Sequence, residues 1–99
     1  MFELVFTTSA QTKLDRLDRS PRSAGLVKQL KKTLGFLQTN PRHPSLQTHI
    51  FHSLEHPYQP HEKVFEAYVQ QHTPAAYRLF WCYGPRKGQL TILAITPHP

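Results

Sequence analysis

Apolar residues recur along this chain at two spacings, and the change between them outlines the fold. Phe2 to Thr7 alternates, with Phe2, Leu4 and Phe6 on one side, which predicts a strand. From Ala10 to Arg19 the spacing becomes helical: Ala10, Leu14 and Leu17 share a side, and Thr8 or Ser9 is placed to cap the start. Ser20-Pro21 restarts helix geometry. A longer helix then runs to about Thr39, with Leu26, Val27, Leu30, Leu34 and Leu37 as its apolar stripe, and Asn40-Pro41 ends it. The two helices thus form a hairpin with one shared apolar side that needs a sheet to cover it.

The rest of the chain supplies that sheet. Ser45 to Phe51 is a weakly patterned strand, followed by a polar loop from His52 to His61. Val64 to Gln70 reads as a strand, Gln71 to Pro74 as a turn and Ala75 to Tyr83 as the next strand. Gly84 to Gly88 is a turn by composition. Leu90 to Thr96, apolar on both faces, is a central strand, and the sequence closes on Pro97-His98-Pro99. The order is strand, two helices, then strands joined by short turns. That is α+β, a single domain over residues 1–99 with the helices on one face of a mostly antiparallel sheet. The other face is left as a surface.

Alternation says what that surface carries. Phe65, Ala67 and Val69 share one side of their strand, Glu66 and Tyr68 the other. In the next strand Tyr77, Leu79 and Trp81 are the apolar side, while Arg78 and Phe80 point oppositely. An arginine in so aromatic a strand is always charged and costly to leave unpaired in a dry interior. It must meet a carboxylate or an anion. If Phe65 and Leu79 face the helices, Glu66, Tyr68 and Arg78 face outward together, and a Glu66–Arg78 cross-strand pair follows.

Charge points the same way. Lys plus Arg number 12 against 6 Asp plus Glu, giving +6 and a pI near 9.8 in 99 residues. Such a field attracts nucleic acid, an anionic membrane or an acidic protein. Lys28, Lys31, Lys32 and Arg42 spread along the helical edge, and Arg86 and Lys87 sit at a hairpin tip, positions suited to sequence-independent phosphate contacts. The single cysteine, Cys82, excludes a disulfide scaffold and suits a reducing cytoplasm. No apolar run approaches the ~18 residues of a membrane-spanning helix, and the first residues lack the basic start of a signal peptide. His49, His52, His56 and His61 do not match the spacing of a closed zinc site and read as solvated loop histidines; neither metal nor cofactor is expected.

A carboxylate, an arginine, a tyrosine and histidines on one face are ingredients for RNA cleavage. That reaction needs a base for the 2′-hydroxyl, a cation for the charge on phosphorus and an acid for the leaving 5′-oxygen. Histidine suits the proton transfers and Arg78 the phosphate.

Four short segments in this order resemble the RelE/ParE superfamily of small toxins: Asn40-Pro41-Arg42-His43-Pro44-Ser45-Leu46, Phe65-Glu66-Ala67-Tyr68, Tyr77-Arg78-Leu79-Phe80-Trp81 and Ile95-Thr96-Pro97-His98-Pro99. The family's β-α-α-β-β-β order matches over essentially the whole length. The resemblance implies a toxin of a type II toxin–antitoxin system, a metal-independent endoribonuclease that cuts mRNA on the ribosome and is neutralised by an acidic antitoxin. By position it implies that Arg78 stabilises the scissile phosphate and that His98 is the general acid. His43 and His49 are the contributors around the second strand, with Glu66 and Tyr68 as further candidates. The second strand offers Ser45, Gln47, Thr48 and His49 where RelE has lysines, so the mechanism would resemble the histidine-using branch. The ParE branch shares the fold, needs no catalytic residues and acts by binding DNA gyrase, which leaves a non-enzymatic alternative open.

Overall fold

The computed structural model describes residues 1–71 and 73–97. Its elements are β1 (Glu3–Phe6), α1 (Thr8–Asp18), α2 (Ala24–Thr39), β2 (His49–Ile50), β3 (Phe65–Tyr68), β4 (Tyr77–Tyr83) and β5 (Gln89–Pro97), with 3-10 turns at Pro21–Ser23 and Pro44–Leu46. The five strands form one sheet in the order β1-β5-β4-β3-β2. β5 pairs parallel with β1 and antiparallel with β4, so the sheet is mixed, and the expected antiparallel character holds for every other pair.

The helices cover one face. Ala10 and Leu17 of α1 and Val27, Leu30, Leu34 and Leu37 of α2 pack with Ala67, Leu79, Trp81, Leu90, Ile92 and Ile95 in a single core cluster. Leu30, Leu37, Leu79, Leu90 and Ile92 are fully excluded from solvent, as the helical and strand periodicities require. Phe2, Leu4 and Phe6 of the first strand lean on the same cluster.

Two local devices fix how α1 meets the sheet. Thr7 caps the helix, its hydroxyl oxygen accepting from the Ala10 N–H at 3.1 Å. The same hydroxyl donates to the Leu93 carbonyl at 2.9 Å. Leu93 is the extra residue of a bulge, since Phe80 lies opposite Ala94 and Trp81 opposite Ile92.

The second strand departs most from expectation. Ser45 to Phe51 is not continuously extended: Pro44–Leu46 forms a 3-10 turn, Gln47 turns out of it at φ 45°, and only His49–Ile50 pairs with β3. The Pro44 ring favours a turn start, and a left-handed residue cannot lie in a ladder. The second helix likewise begins with a 3-10 turn, so α2 proper starts at Ala24 rather than Pro21. No helix among the described residues is long and apolar enough to cross a membrane.

Candidate functional site

The sheet face away from the helices has two halves. One is apolar: Val64, Phe80 and Cys82 are buried there, with Phe51, Leu93 and Ala94 against them. The other half carries charge. His49 of β2 lies directly opposite Glu66 of β3, and Tyr68 lies directly opposite Arg78 of β4. Glu66 and Arg78 are therefore diagonal neighbours, within reach for side chains of this length.

Glu66 is the hub. One carboxylate oxygen meets Arg78 Nη1 and the other meets His49 Nε2. Its side chain is only 2% exposed, against 14% for Arg78 and 48% for His49. A carboxylate so deeply placed is tolerable only because both oxygens are engaged by cationic or proton-bearing groups. Tyr68 completes the group, its ring 5.6 Å from the Arg78 guanidinium carbon and edge-on to His49 at 5.7 Å.

The proton inventory of His49 follows from its partners. Nδ1 is 3.1 Å from the Gln47 carbonyl, which can only accept, so Nδ1 donates. Nε2 faces the Glu66 carboxylate, so a proton arriving on that nitrogen is held in a hydrogen bond. The ring is half exposed, so solvent or substrate can reach it while these contacts hold it in place.

The structure thus brings together four of the residues singled out in the sequence: Arg78, Glu66, Tyr68 and His49. His43 is elsewhere. Its ring stacks on Phe36 of α2, with centroids 4.0 Å apart and planes 14° apart, and its Nδ1 accepts from the Ser45 N–H at 3.1 Å. It orders the turn after α2 on the helical side of the sheet, beside a groove of about 460 Å³ that it lines with Arg42, Phe65 and Tyr83. His98 lies outside the described residues.

The basic residues divide as well. Lys28, Lys31 and Lys32 stand exposed on α2, on the covered side, with Lys31 3.6 Å from Asp18 and Lys32 over the Phe36 ring. Arg86 and Lys87 are exposed at the β4–β5 turn. None of them joins the Arg78 cluster.

The reading of His56 as a solvated loop histidine is corrected. It is 4% exposed, and both ring nitrogens are bonded to backbone. Nothing local signals this, because its partner, the Tyr83 carbonyl, lies 27 positions further on. His49, taken with the same group, belongs to β2 and to the charged cluster. Among the described residues no three histidine, cysteine or acidic side chains converge as a metal site would require.

Cys82 is fully buried, and burial pushes its thiol up to about 11 from an ordinary value of 9.0. The folded chain therefore holds this proton when the unfolded chain has begun to lose it. The thiol's influence on stability is absent well below pH 9.0 and turns unfavourable as pH rises from there towards about 11. At pH 8 the native protein is expected to resist Ellman's reagent and to react fully once urea unfolds it. Rapid labelling without urea would contradict the burial.

No family model and no curated protein matches the chain. Solved structures do. A YoeB/ParE toxin from Agrobacterium tumefaciens superposes with TM-score 0.73 at 11% identity, covering 99% of this chain and 100% of that one. The fold here is that of the RelE/ParE toxins. RelE in the archaeal RelE–RelB complex from Pyrococcus horikoshii gives TM-score 0.65 at 12% identity over 97% of this chain and 93% of that one. The intact RelBE toxin–antitoxin complex of E. coli gives 0.64 at 14% identity over 100% and 99%. At these identities the likeness is one of backbone architecture spanning both chains end to end. The RelE/ParE-like arrangement of strand, helix pair and sheet is the one the sequence resemblance implied.

Proposed function

We propose that this RelE/ParE-fold chain is the toxin of a toxin–antitoxin pair and an endoribonuclease that cuts mRNA, with the Arg78–Glu66–His49 cluster as its site. What carries the reading is one observation: a buried carboxylate grips an arginine and a half-exposed histidine on the sheet face that the helices leave uncovered. The Arg78 and Glu66 charges cancel, so the proton that a neutral His49 takes up leaves the group with one positive charge against the phosphodiester.

In this reading the 2′-oxygen attacks the adjacent phosphorus, and the bond to the leaving 5′-oxygen breaks. The products are a 2′,3′-cyclic phosphate and a 5′-hydroxyl. Arg78 holds the charge that builds on the non-bridging oxygens. The proton from the 2′-hydroxyl goes to His49, where Glu66 steadies it. The leaving oxygen takes its proton from His98, by the family resemblance. Glu66 has both oxygens engaged and acts by holding the other two in place. Tyr68 flanks Arg78 and His49 and offers a ring for a splayed base. Arg42, Arg86, Lys87 and the α2 lysines steer RNA from a distance rather than at the scissile bond.

The partners in this reading are mRNA on the ribosome and an acidic antitoxin. Two of the structural neighbours are complexes of RelE with RelB, and this chain's +6 charge suits an acidic protein. The test is expression in a bacterial host with primer extension on abundant messages. Wild type should arrest translation and leave discrete cuts. His49→Ala should lower cleavage by about 10²–10⁴-fold, the usual contribution of a positioned acid or base, and should cost less stability than loss of Arg78, because the buried Glu66 keeps its arginine. Growth arrest with a DNA-damage response and intact mRNA would replace this reading with gyrase poisoning.

A further inference from the structure

The segment from Phe51 to Val64 joins two neighbouring strands without regular structure of its own, except for short turns. Connections of that length are ordered only when something holds them. Here the base is closed by the Phe51 N–H donating to the Val64 carbonyl at 2.8 Å. The Phe51 ring packs on Phe80 with centroids 4.4 Å apart. Past these, the segment reaches across the sheet to the β4–β5 turn and is fastened there.

The fastening is His56. Its Nε2 donates to the Tyr83 carbonyl at 2.8 Å, while Nδ1 accepts from the N–H groups of Tyr58 at 3.2 Å and Gln59 at 3.0 Å. These roles are forced, since carbonyls only accept and amides only donate. A second arm lies beside it. Thr91, fully buried, donates to the Gly84 carbonyl at 2.9 Å, so the Tyr58 hydroxyl donates to Thr91 Oγ1 at 3.0 Å.

At the other end of this segment is β2, a two-residue strand on the sheet edge. So short a ladder does not hold itself in register. His49 and Phe51 share the open face by alternation, so Phe51 on Phe80 sets where His49 lies relative to Glu66.

We propose that His56 is a positioning residue for the charged cluster: it pins the 51–64 segment over the sheet and, through Phe51, keeps His49 against Glu66. The inference rests on the cluster being a cleavage site only for its effect on rate. The placement of His49 is a property of the free protein.

Histidine-selective NMR and single-turnover mRNA cleavage test it together, on the full chain. In His56→Ala, the His49 ring resonances should move towards those of an unstructured histidine while circular dichroism shows α1 and α2 intact. Cleavage should fall by roughly 10–100-fold, the scale of a sub-ångström to 1 Å misplacement, with RNA affinity little changed. His56→Gln, whose side-chain amide can still donate to the Tyr83 carbonyl, should recover part of both. Should His56→Ala not fold, Tyr58→Phe removes the second arm alone and should shift His49 in the same direction, by less. His49 resonances and a cleavage rate unchanged from wild type in these variants would overturn the proposal. A wild-type protein that cuts no mRNA would instead sink the cleavage reading, and the resonances of His49 would still decide whether His56 positions it.

Discussion

Arg78→Ala is expected to abolish mRNA cleavage and to lower stability at the same time, and adding Glu66→Gln is expected to restore most of the stability and none of the cleavage. The two losses have different causes. Removing a positioned cation from the charge that develops on phosphorus costs about 10²–10³ in rate, as for other preorganised stabilising groups. Lysine at this position should recover little, because a single ammonium cannot reproduce a planar bidentate fork. The stability loss comes from what stays behind. Glu66, with its side chain 2% exposed, would keep His49 as its one partner. Stripping a partner from a buried pair costs about 3–5 kcal/mol, and the surviving His49 contact places the effect at the lower end. For a domain of this length about 3 kcal/mol corresponds to a fall in Tm of at least ~10 °C. Glutamine in place of Glu66 removes the orphaned charge, so the double variant should melt well above the single one. Calorimetry and primer extension on the two proteins check both halves. Cutting by Arg78→Ala at the wild-type rate would end the catalytic assignment.

Trp81→Ala should be the most destabilising single change in the helical-side core. Trp81 is 1% exposed, stacks on Phe65 with centroids 4.7 Å apart and meets Tyr83 edge-on at 5.1 Å. Deleting an indole from such a position removes its transfer energy and leaves a cavity between β4 and the helices, together about 3–5 kcal/mol. Trp81→Phe should cost much less. The indole N–H has no hydrogen-bond partner among the described residues, so losing it forfeits no bond and relieves a buried donor. Urea unfolding of both variants separates the contributions: similar losses would mean that the polar edge of the indole, rather than its volume, matters at this position.

The parts of this fold that were legible in the sequence are those set by local spacing. Leu30, Leu34 and Leu37 repeat at helical intervals and are buried together. Glu66, Tyr68 and Arg78 were assigned to one face by alternation alone, and that face is where they meet. What escaped is set by partners distant in the chain. The parallel pairing of β1 with β5 links Leu4 to Leu90, and no pattern in either strand names the other. The burial of His56 depends on a carbonyl at the far end of β4. His43 was grouped with the site because it precedes the second strand. The left-handed turn at Gln47 lies between them, and His43 remains on the α2 side, stacked on Phe36.

The place of β5 in the sheet bears on how the protein is made. β5 is the seam between β1, which precedes the other strands of this sheet in the chain, and β4. Before β5 exists, β1 has no neighbour to pair with, the helices have half of their platform, and the Arg78 strand has β3 alone at its side. Translation proceeds at about 5–20 residues per second, far slower than helix or hairpin formation, so local elements form early but the sheet cannot close. A chain stopped before Gln89 carries every residue of the Arg78 cluster but lacks Leu90, Ile92 and Ile95 of the core and the strand that joins β1 to β4, so it is expected to fail to fold stably.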